Sequence, residues 1–190
     1  MTERSCKGST FSLLTASLPK EVEVGGEHYP LCFDFRCGIL LTELFTDEEV
    51  FDGGSMMRLA VKLLSPTLFE AVEDGRVSLA DAASAVKDFY FCGRQAGSGG
   101  GGEKVLDFAY DDERILAAFR MTYGIDLCTE SLHWWVFMAL LRGLPRDCEL
   151  MRVMSLRATD PSLIADDEAR RRLRRAKAAV RIPKKKGKVL

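Results

Sequence analysis

The feature that most constrains the fold is one helical segment, residues 130–142, that is apolar on nearly every side. One face carries Leu132, Trp135, Val136, Ala139 and Leu140, and the other carries Trp134, Phe137, Met138 and Leu141. Thr129 is its predicted N-cap, and Gly143 and Pro145 close it. A helix that is hydrophobic all round must be covered all round, by the rest of the fold or by a partner.

The elements that could supply this cover are predicted to be mainly helical. Asp34 can cap one helix, Ser78 followed by Asp81 resembles a capping box, and Gly124 fits the left-handed end of a helix that Asp111 or Asp112 begins. Apolar residues recur at helical spacing behind these signals. The predicted helices are residues 34–45, 55–64, 78 to about 93, 111–123, 130–142, 147–157 and about 161–181.

One short segment near the N-terminus has the pattern of a β-hairpin. Val22 and Val24 alternate with glutamates, Gly25-Gly26 can adopt the positive φ of a tight turn, and residues 28–31 can form the returning strand. We therefore expect a mainly α protein, a multi-helix domain with a small N-terminal β-hairpin and a long basic C-terminal helix.

A glycine-rich stretch divides the chain, because six of the ten residues 93–102 are glycine. Residues 97–102 satisfy G-x-G-x-x-G formally, but a predicted helix precedes them and Glu103 stands where a phosphate-binding lysine belongs, so we expect no nucleotide there. The predicted organisation is a flexible leader at 1–17, an N-terminal lobe at 18–92, a linker at 93–105, a helical lobe with the double tryptophan at 106–158, and a basic C-terminal helix and tail at 159–190.

Charge is distributed unevenly along the chain. The formal net charge is -1, yet eleven basic and no acidic residues lie between Arg170 and Leu190, which leaves -12 on residues 1–169. We define the basic arm by Arg170, Arg171, Arg174, Arg175, Lys184, Lys185 and Lys186. Its density makes nucleic-acid binding through this arm the alternative function.

Two observations argue against that alternative. Asp166, Asp167 and Glu168 lie four residues before Arg170, Arg171 and Arg172, so these arginines are predicted to form ion pairs within the helix. No aromatic residue lies in the arm to stack on bases. We therefore expect that nucleic acid is not the partner.

Catalytic and metal-binding patterns are missing from the sequence. His133 has only His28 as a second histidine, and there is no H-E-x-x-H, no C-x-x-C and no G-x-S-x-G. A packed histidine bonded to the backbone explains His133 better than a ligand does. We expect no enzyme activity, no metal and no cofactor.

The cysteines and the hydropathy favour an intracellular protein. The chain has six cysteines without close pairing and is long enough to need no covalent staples, so we expect reduced thiols that are mostly small core residues. No signal-peptide run and no apolar stretch of spanning length is visible. We expect no membrane contact.

Several stretches together resemble the bacteriophage Gp-fifteen family. They are residues 107–111 (DFAYD), 115–119 (ILAAF), 123–127 (YGIDL) and 132–144 (LHWWVFMALLRGL), with Leu18-Pro19, Tyr29-Pro30 and Asp34-Phe35-Arg36 nearer the N-terminus. The resemblance spans roughly residues 14–183 and is strongest from 106 to 145. The Ser/Thr-rich leader and the long glycine linker depart from the family pattern.

The resemblance implies a small tail protein of long-tailed phages and prophages of Gram-positive bacteria, acting as a tail assembly chaperone. Such a factor binds and solubilises the tape measure protein while the tail tube assembles. It implies the tape measure protein as partner, the tail tube protein as a second candidate, and self-association of the chain. The expected location is the host cytoplasm, and the protein is expected to be absent from the mature virion.

A site hypothesis follows from the apolar helix and the resemblance together. Trp134, Trp135, Phe137, Met138 and Leu141 could form a groove that receives the apolar seam of a partner helix. The alternative is that all five side chains are ordinary core residues. The sequence leaves both interpretations open.

Overall fold

A computed structural model describes residues 12–46, 53–94 and 104–183. Within these ranges the chain forms two compact units. Unit 1 contains residues 12–46, 53–94 and 133–136, and unit 2 contains residues 104–132 and 137–183. The double tryptophan therefore belongs to unit 1, whereas most of the predicted helical lobe at 106–158 belongs to unit 2. Much of the predicted leader and linker lies outside the described residues.

The predicted hairpin is present at the start of unit 1. Strand β1 is Glu21–Val24 and strand β2 is Glu27–Pro30, paired antiparallel with Val22 opposite Tyr29. Gly25 and Gly26 have φ of +65° and +84°, the positive values that the tight turn requires. Val24 and Tyr29 are buried, so one side of the hairpin joins the core of unit 1.

Four helices complete the described part of unit 1, and three of them were expected. Helix α1 is Phe35–Thr46, α2 is Gly53–Leu64, α3 is Pro66–Glu73 and α4 is Leu79–Tyr90. Asp34 Oδ1 accepts a hydrogen bond from Arg36 N at 2.9 Å. Ser78 Oγ accepts from Asp81 N at 3.1 Å and donates to the Asp81 carboxylate at 2.7 Å. Both side chains act at the helix starts that the sequence indicates.

Helix α3 was not predicted. Pro66 was interpreted only as the end of the preceding helix, but it lies in the first turn of a new one. Proline is tolerated there because its missing N–H has no intrahelical partner at that position. The buried Ser65 side chain caps this helix by accepting from Leu68 N at 3.3 Å.

Unit 2 is built on helices α5 at Asp112–Tyr123 and α7 at Glu149–Ala158, followed by α8 at Asp167–Ala179. Helix α6, Trp134–Arg142, contributes its first residues to unit 1 and the rest to unit 2. Gly124 ends α5 with φ of +72°, as expected. The described part of the chain is thus mainly α-helical, with one two-stranded hairpin. No helix in the described ranges is long and apolar enough to cross a membrane.

The predicted start of the apolar helix at Thr129 is wrong, because α6 begins at Trp134. Trp134 N donates to Phe33 O at 2.8 Å, and His133 forms a β-bridge with Asp34. Residue 133 is extended in this bridge, so the helix cannot include it and begins at the next residue. Thr129 instead closes a turn in which its backbone N–H bonds to Asp126 O at 3.1 Å.

The C-terminal helix is shorter than expected. Pro161–Leu163 form a 3-10 turn, and Asp166 caps α8 by accepting from Ala169 N at 2.6 Å. Capping occupies the Asp166 carboxylate, so its predicted pair with Arg170 is replaced by an Asp167–Arg170 pair at 2.8 Å. Of the three predicted pairs, the Glu168–Arg172 pair is present.

The expectation of reduced thiols is wrong for one pair. Cys32 and Cys37 form a disulfide, with Cα atoms 6.2 Å apart. A five-residue separation gave no recognisable motif, but the turn into α1 brings the two side chains together. Cys92 is buried as expected, whereas Cys128 is exposed and Cys148 is half-buried.

Candidate functional site

Most side chains proposed to contact a partner are buried. Trp134 is 1% exposed, and Trp135, Phe137 and Leu141 are also buried, while Met138 is half-buried. Trp134 and Trp135 lie in unit 1 and the other three in unit 2. The burial favours the interpretation that these residues belong to the core.

The two tryptophans attach to the end of α4. The Trp134 indole Nε1 donates to Tyr90 O at 2.9 Å, and the Trp135 indole Nε1 donates to Phe89 O at 2.7 Å. Carbonyl groups in the last turn of a helix have no intrahelical donor, so the indoles supply side-chain donors to these acceptors. Phe89 O also accepts from Cys92 N at 3.0 Å. The Trp134 ring also stacks on Tyr90 at a centroid distance of 5.8 Å.

Gly38 on α1 makes room for the Trp134 ring. A Cβ atom placed on Gly38 would lie 2.1 Å from Trp134 Cε3, well inside contact distance. Only glycine lets α1 approach the indole this closely. The tryptophan is therefore held between the first turns of α1 and the last turn of α4.

His133 has the structural role that the sequence favoured. Its Nε2 donates to Pro19 O at 2.9 Å, and its Nδ1 accepts from Trp135 N at 3.1 Å. These bonds define a neutral tautomer with the proton on Nε2. Burial lowers the pKa of His133 below its usual value, the Pro19 carbonyl opposes this, and nearby Lys20 lowers the pKa further. No three His, Cys, Asp or Glu side chains within the described ranges are placed to hold a metal ion.

We expect acid to destabilise unit 1 through His133. Because folding depresses its pKa, the neutral form contributes stability that is present above the unfolded value near 6.5 and is lost as the pH falls through the folded value. Urea unfolding of the wild type and of His133→Phe at about pH 7.5 and about pH 5 should show a smaller pH dependence in the variant. His28→Gln, at an exposed position, serves as the control. Equal pH dependence in His133→Phe and the wild type would refute this role.

The remaining α6 residues belong to an aromatic cluster in unit 2. Phe137 stacks on Phe119 of α5 with centroids 5.0 Å apart, and Phe108 lies 6.1 Å from Phe137. The Tyr123 hydroxyl donates to Leu140 O at 2.8 Å. These contacts show why α6 is apolar on several sides: its two ends are covered by different parts of the chain.

A buried ion pair in unit 2 was not predicted. Asp111 is 0% exposed and Arg157 is 4% exposed. Arg157 donates to both Asp111 oxygens, at 2.6 and 3.0 Å, and also to Val105 O at 3.0 Å and Val180 O at 2.6 Å. Arg114 and the Asp107 backbone N–H complete the donors to Asp111, at 3.2 and 3.1 Å. The Arg157 guanidinium, at the end of α7, thus connects the start of α5, the loop before α5 and the end of α8.

Sequence patterns did not predict this ion pair. Asp111 or Asp112 was predicted as a helix cap, and Asp111 does stand in the N-cap position, but its side chain makes no cap hydrogen bond. Arg157 lies in the last turn of α7, where a cation is favourable without any specific partner. The two residues lie 46 positions apart, and local rules give no signal at that separation.

The basic arm is partly engaged within unit 2. Arg170 donates to Ile164 O at 2.9 and 2.7 Å, so its charge is directed toward its own helix start. Arg171, Arg174 and Arg175 are exposed, and their spacing places them on one side of α8. Lys184, Lys185 and Lys186 lie outside the described residues.

Other apolar side chains are exposed. In unit 2, Met121 on α5 is 87% exposed and Leu163 is 84% exposed. Unit 1 exposes Leu14, which is 94% exposed, and to smaller extents Leu40 on α1 and Leu59 on α2. Burial of the double tryptophan makes these residues the more accessible apolar contacts.

Comparison with known proteins identifies the family. The family described as Bacteriophage Gp15 protein matches residues 14–182, which include all described helices and the hairpin. Neither a curated protein nor a solved structure matches the sequence. Because the match covers most of the 190 residues, the chain belongs to the bacteriophage Gp15 family.

Proposed function

We propose that this bacteriophage protein is a tail assembly chaperone that binds and solubilises the tape measure protein while the tail tube assembles. Membership of the Gp15 family, with a match over residues 14–182, is the observation that carries the proposal. The protein acts by binding and not by catalysis, and it works in the host cytoplasm without entering the mature virion. The tail tube protein and further copies of the chain are additional candidate partners.

The exposed side of α5 is our choice for the contact. Ala117 and Met121 are exposed one helical turn apart, and Met121 offers a long, adaptable thioether side chain. The small Ala117 side chain lets a partner helix approach the α5 backbone closely. An apolar seam of the tape measure protein can pack along this side as a helix against a helix.

The test begins with co-expression of the chain and its tape measure protein. Affinity capture followed by size-exclusion chromatography with mass determination should recover a complex at low salt and again at high salt. Apolar contacts survive high salt because they do not depend on charge attraction, which ions screen. A tape measure protein that stays insoluble and uncaptured at both salt concentrations would contradict the chaperone function.

Met121→Glu is expected to weaken that complex by about 1–3 kcal/mol, equivalent to roughly a 5- to 150-fold higher Kd. The reason is that a carboxylate placed in an apolar contact loses its hydration. Isothermal titration with a tape measure fragment that the chain captures measures the change. Ser84→Glu adds the same charge at an exposed position of α4 in unit 1 and should bind normally. Equal Kd values for the two variants would show that the tape measure protein does not contact Met121 on α5.

A variant of the basic arm tests the alternative that the protein binds nucleic acid. Replacing Arg171, Arg174 and Arg175 together by glutamine removes three exposed charges from α8. The chaperone proposal expects this variant to keep the tape measure protein at high salt. The nucleic-acid alternative would be favoured by a different result. The wild-type chain would then not bind the tape measure protein but would bind nucleic acid and release it as the salt concentration rises, and the triple variant would bind no nucleic acid.

A further inference from the structure

The Cys32–Cys37 disulfide closes a short loop in unit 1 between the hairpin and α1. Both cysteines are half-buried, so part of each residue faces solvent. Neither cysteine was expected to be oxidised, and the function proposed above makes no use of the bond. Thiol–disulfide exchange needs a thiolate to approach one of the sulfurs, and the partial exposure of both residues favours that approach.

The same loop holds the start of the double-tryptophan segment. Phe33 O accepts from Trp134 N at 2.8 Å, and Asp34 pairs with His133 in the β-bridge. The Phe33 ring lies nearly parallel to the His133 ring, with centroids 5.6 Å apart. Phe33 and Asp34 both lie between the two cysteines, so the covalent ring fixes the backbone to which this segment is attached.

The residue that directly follows the loop approaches the segment as well. Cys37 precedes Gly38, whose backbone approaches the Trp134 ring so closely that no Cβ fits. Cys37 also lies in the first turn of α1, a 12-residue helix. The positive end of the helix dipole favours negative charge there, which helps a thiolate to leave Cys37 when the bond is attacked.

We propose that Cys32 and Cys37 form a thiol–disulfide exchange site for low-molecular-weight thiols of the glutathione class, and that its redox state controls how firmly residues 133–136 are held in unit 1. A thiolate attacks one sulfur, which forms a mixed disulfide and releases the other cysteine. A second thiol then attacks the mixed disulfide, so two small thiols become one small disulfide and the protein gains two thiols. Two electrons and two protons pass to the protein, and the reverse reaction consumes the small disulfide.

The tryptophans make the redox effect directly observable. The chain contains two tryptophans, Trp134 and Trp135, and both lie in the segment that the loop holds. Tryptophan fluorescence therefore reports on this segment alone. The protein is equilibrated in glutathione buffers of graded ratio, and at each ratio we measure the disulfide by alkylation and mass spectrometry, the emission maximum, and quenching by acrylamide.

In the oxidised form we expect blue-shifted emission and weak quenching, because both indoles are buried. Reduction should shift the emission to the red and raise quenching severalfold, following the same titration curve as the loss of the disulfide. The Tm should fall by roughly 4–8 °C, the size expected for opening a short covalent loop in a chain of this length.

Cys32→Ser and Cys37→Ser should each resemble the reduced wild type in every buffer. Cys128→Ser removes an exposed cysteine and should titrate like the wild type. If either loop variant fails to fold, the wild-type titration alone decides the question. Full alkylation of both cysteines under strongly oxidising ratios, or identical tryptophan signals in the oxidised and reduced forms, would overturn the proposal.

Discussion

Asp111→Ala is expected to lower the free energy of unfolding by about 3–5 kcal/mol, because it leaves the buried Arg157 guanidinium without its carboxylate. Arg157 is 4% exposed, so water cannot replace the two lost bonds at low cost. The Asp107 backbone N–H and Arg114 lose an acceptor as well. Urea unfolding followed by circular dichroism measures the loss.

A matched control and a double variant separate the ion pair from other effects. Asp112→Ala removes an exposed carboxylate from the next position and should cost less than about 1 kcal/mol. Asp111→Leu combined with Arg157→Met removes both charges, and we expect it to be more stable than Asp111→Ala despite carrying more substitutions. An Asp111→Ala variant as stable as Asp112→Ala would show that the pair contributes little.

Local chemistry explains the parts of the fold that the sequence predicts well. The hairpin follows from Gly25-Gly26, because few residues other than glycine accept two consecutive positive φ angles. The start of α4 follows from Ser78, whose hydroxyl caps a neighbouring N–H, and the end of α5 follows from Gly124. In each case the deciding residues are a few positions apart, which a linear pattern can show.

Two of the errors occur where distant residues decide the local structure. Thr129 has the chemistry of a helix cap, but the pairing of Asp34 with His133 delays α6 to Trp134. Asp111, one of the two predicted caps of α5, stands at the N-cap position, but its side chain binds Arg157 from the end of α7. Each competing interaction joins residues far apart in the chain, and hydrophobic periodicity carries no information about such pairs.

The residues that cover the apolar helix also could not be predicted from local sequence patterns. A helix that is apolar all round reveals that it must be covered, but not by what. The indole bonds to Tyr90 O and Phe89 O show that the end of α4 covers the tryptophans within unit 1. Met121, by contrast, is a single methionine on an otherwise ordinary amphipathic helix, and its exposure could not be inferred from spacing alone.

Trp134→Glu distinguishes a core tryptophan from a partner-binding one. Truncating a buried tryptophan to alanine costs about 3–5 kcal/mol, and a carboxylate in the same place adds its own desolvation cost. The indole bond to Tyr90 O and the ring contact with Tyr90 are lost as well. Since a typical domain is stable by only about 5–15 kcal/mol, we expect unit 1 of Trp134→Glu to be largely unfolded.

Circular dichroism and the remaining emission of Trp135 measure the folded fraction, with Met121→Glu as the matched charge substitution at an exposed site. Met121→Glu should stay folded, because an exposed side chain loses little when it is replaced. Trp134→Glu should unfold whether or not the tape measure protein is present, since its defect lies inside unit 1. A Trp134→Glu chain that keeps wild-type stability but no longer holds the tape measure protein would instead make Trp134 part of the binding surface, and would require residues 133–136 to leave unit 1 on binding.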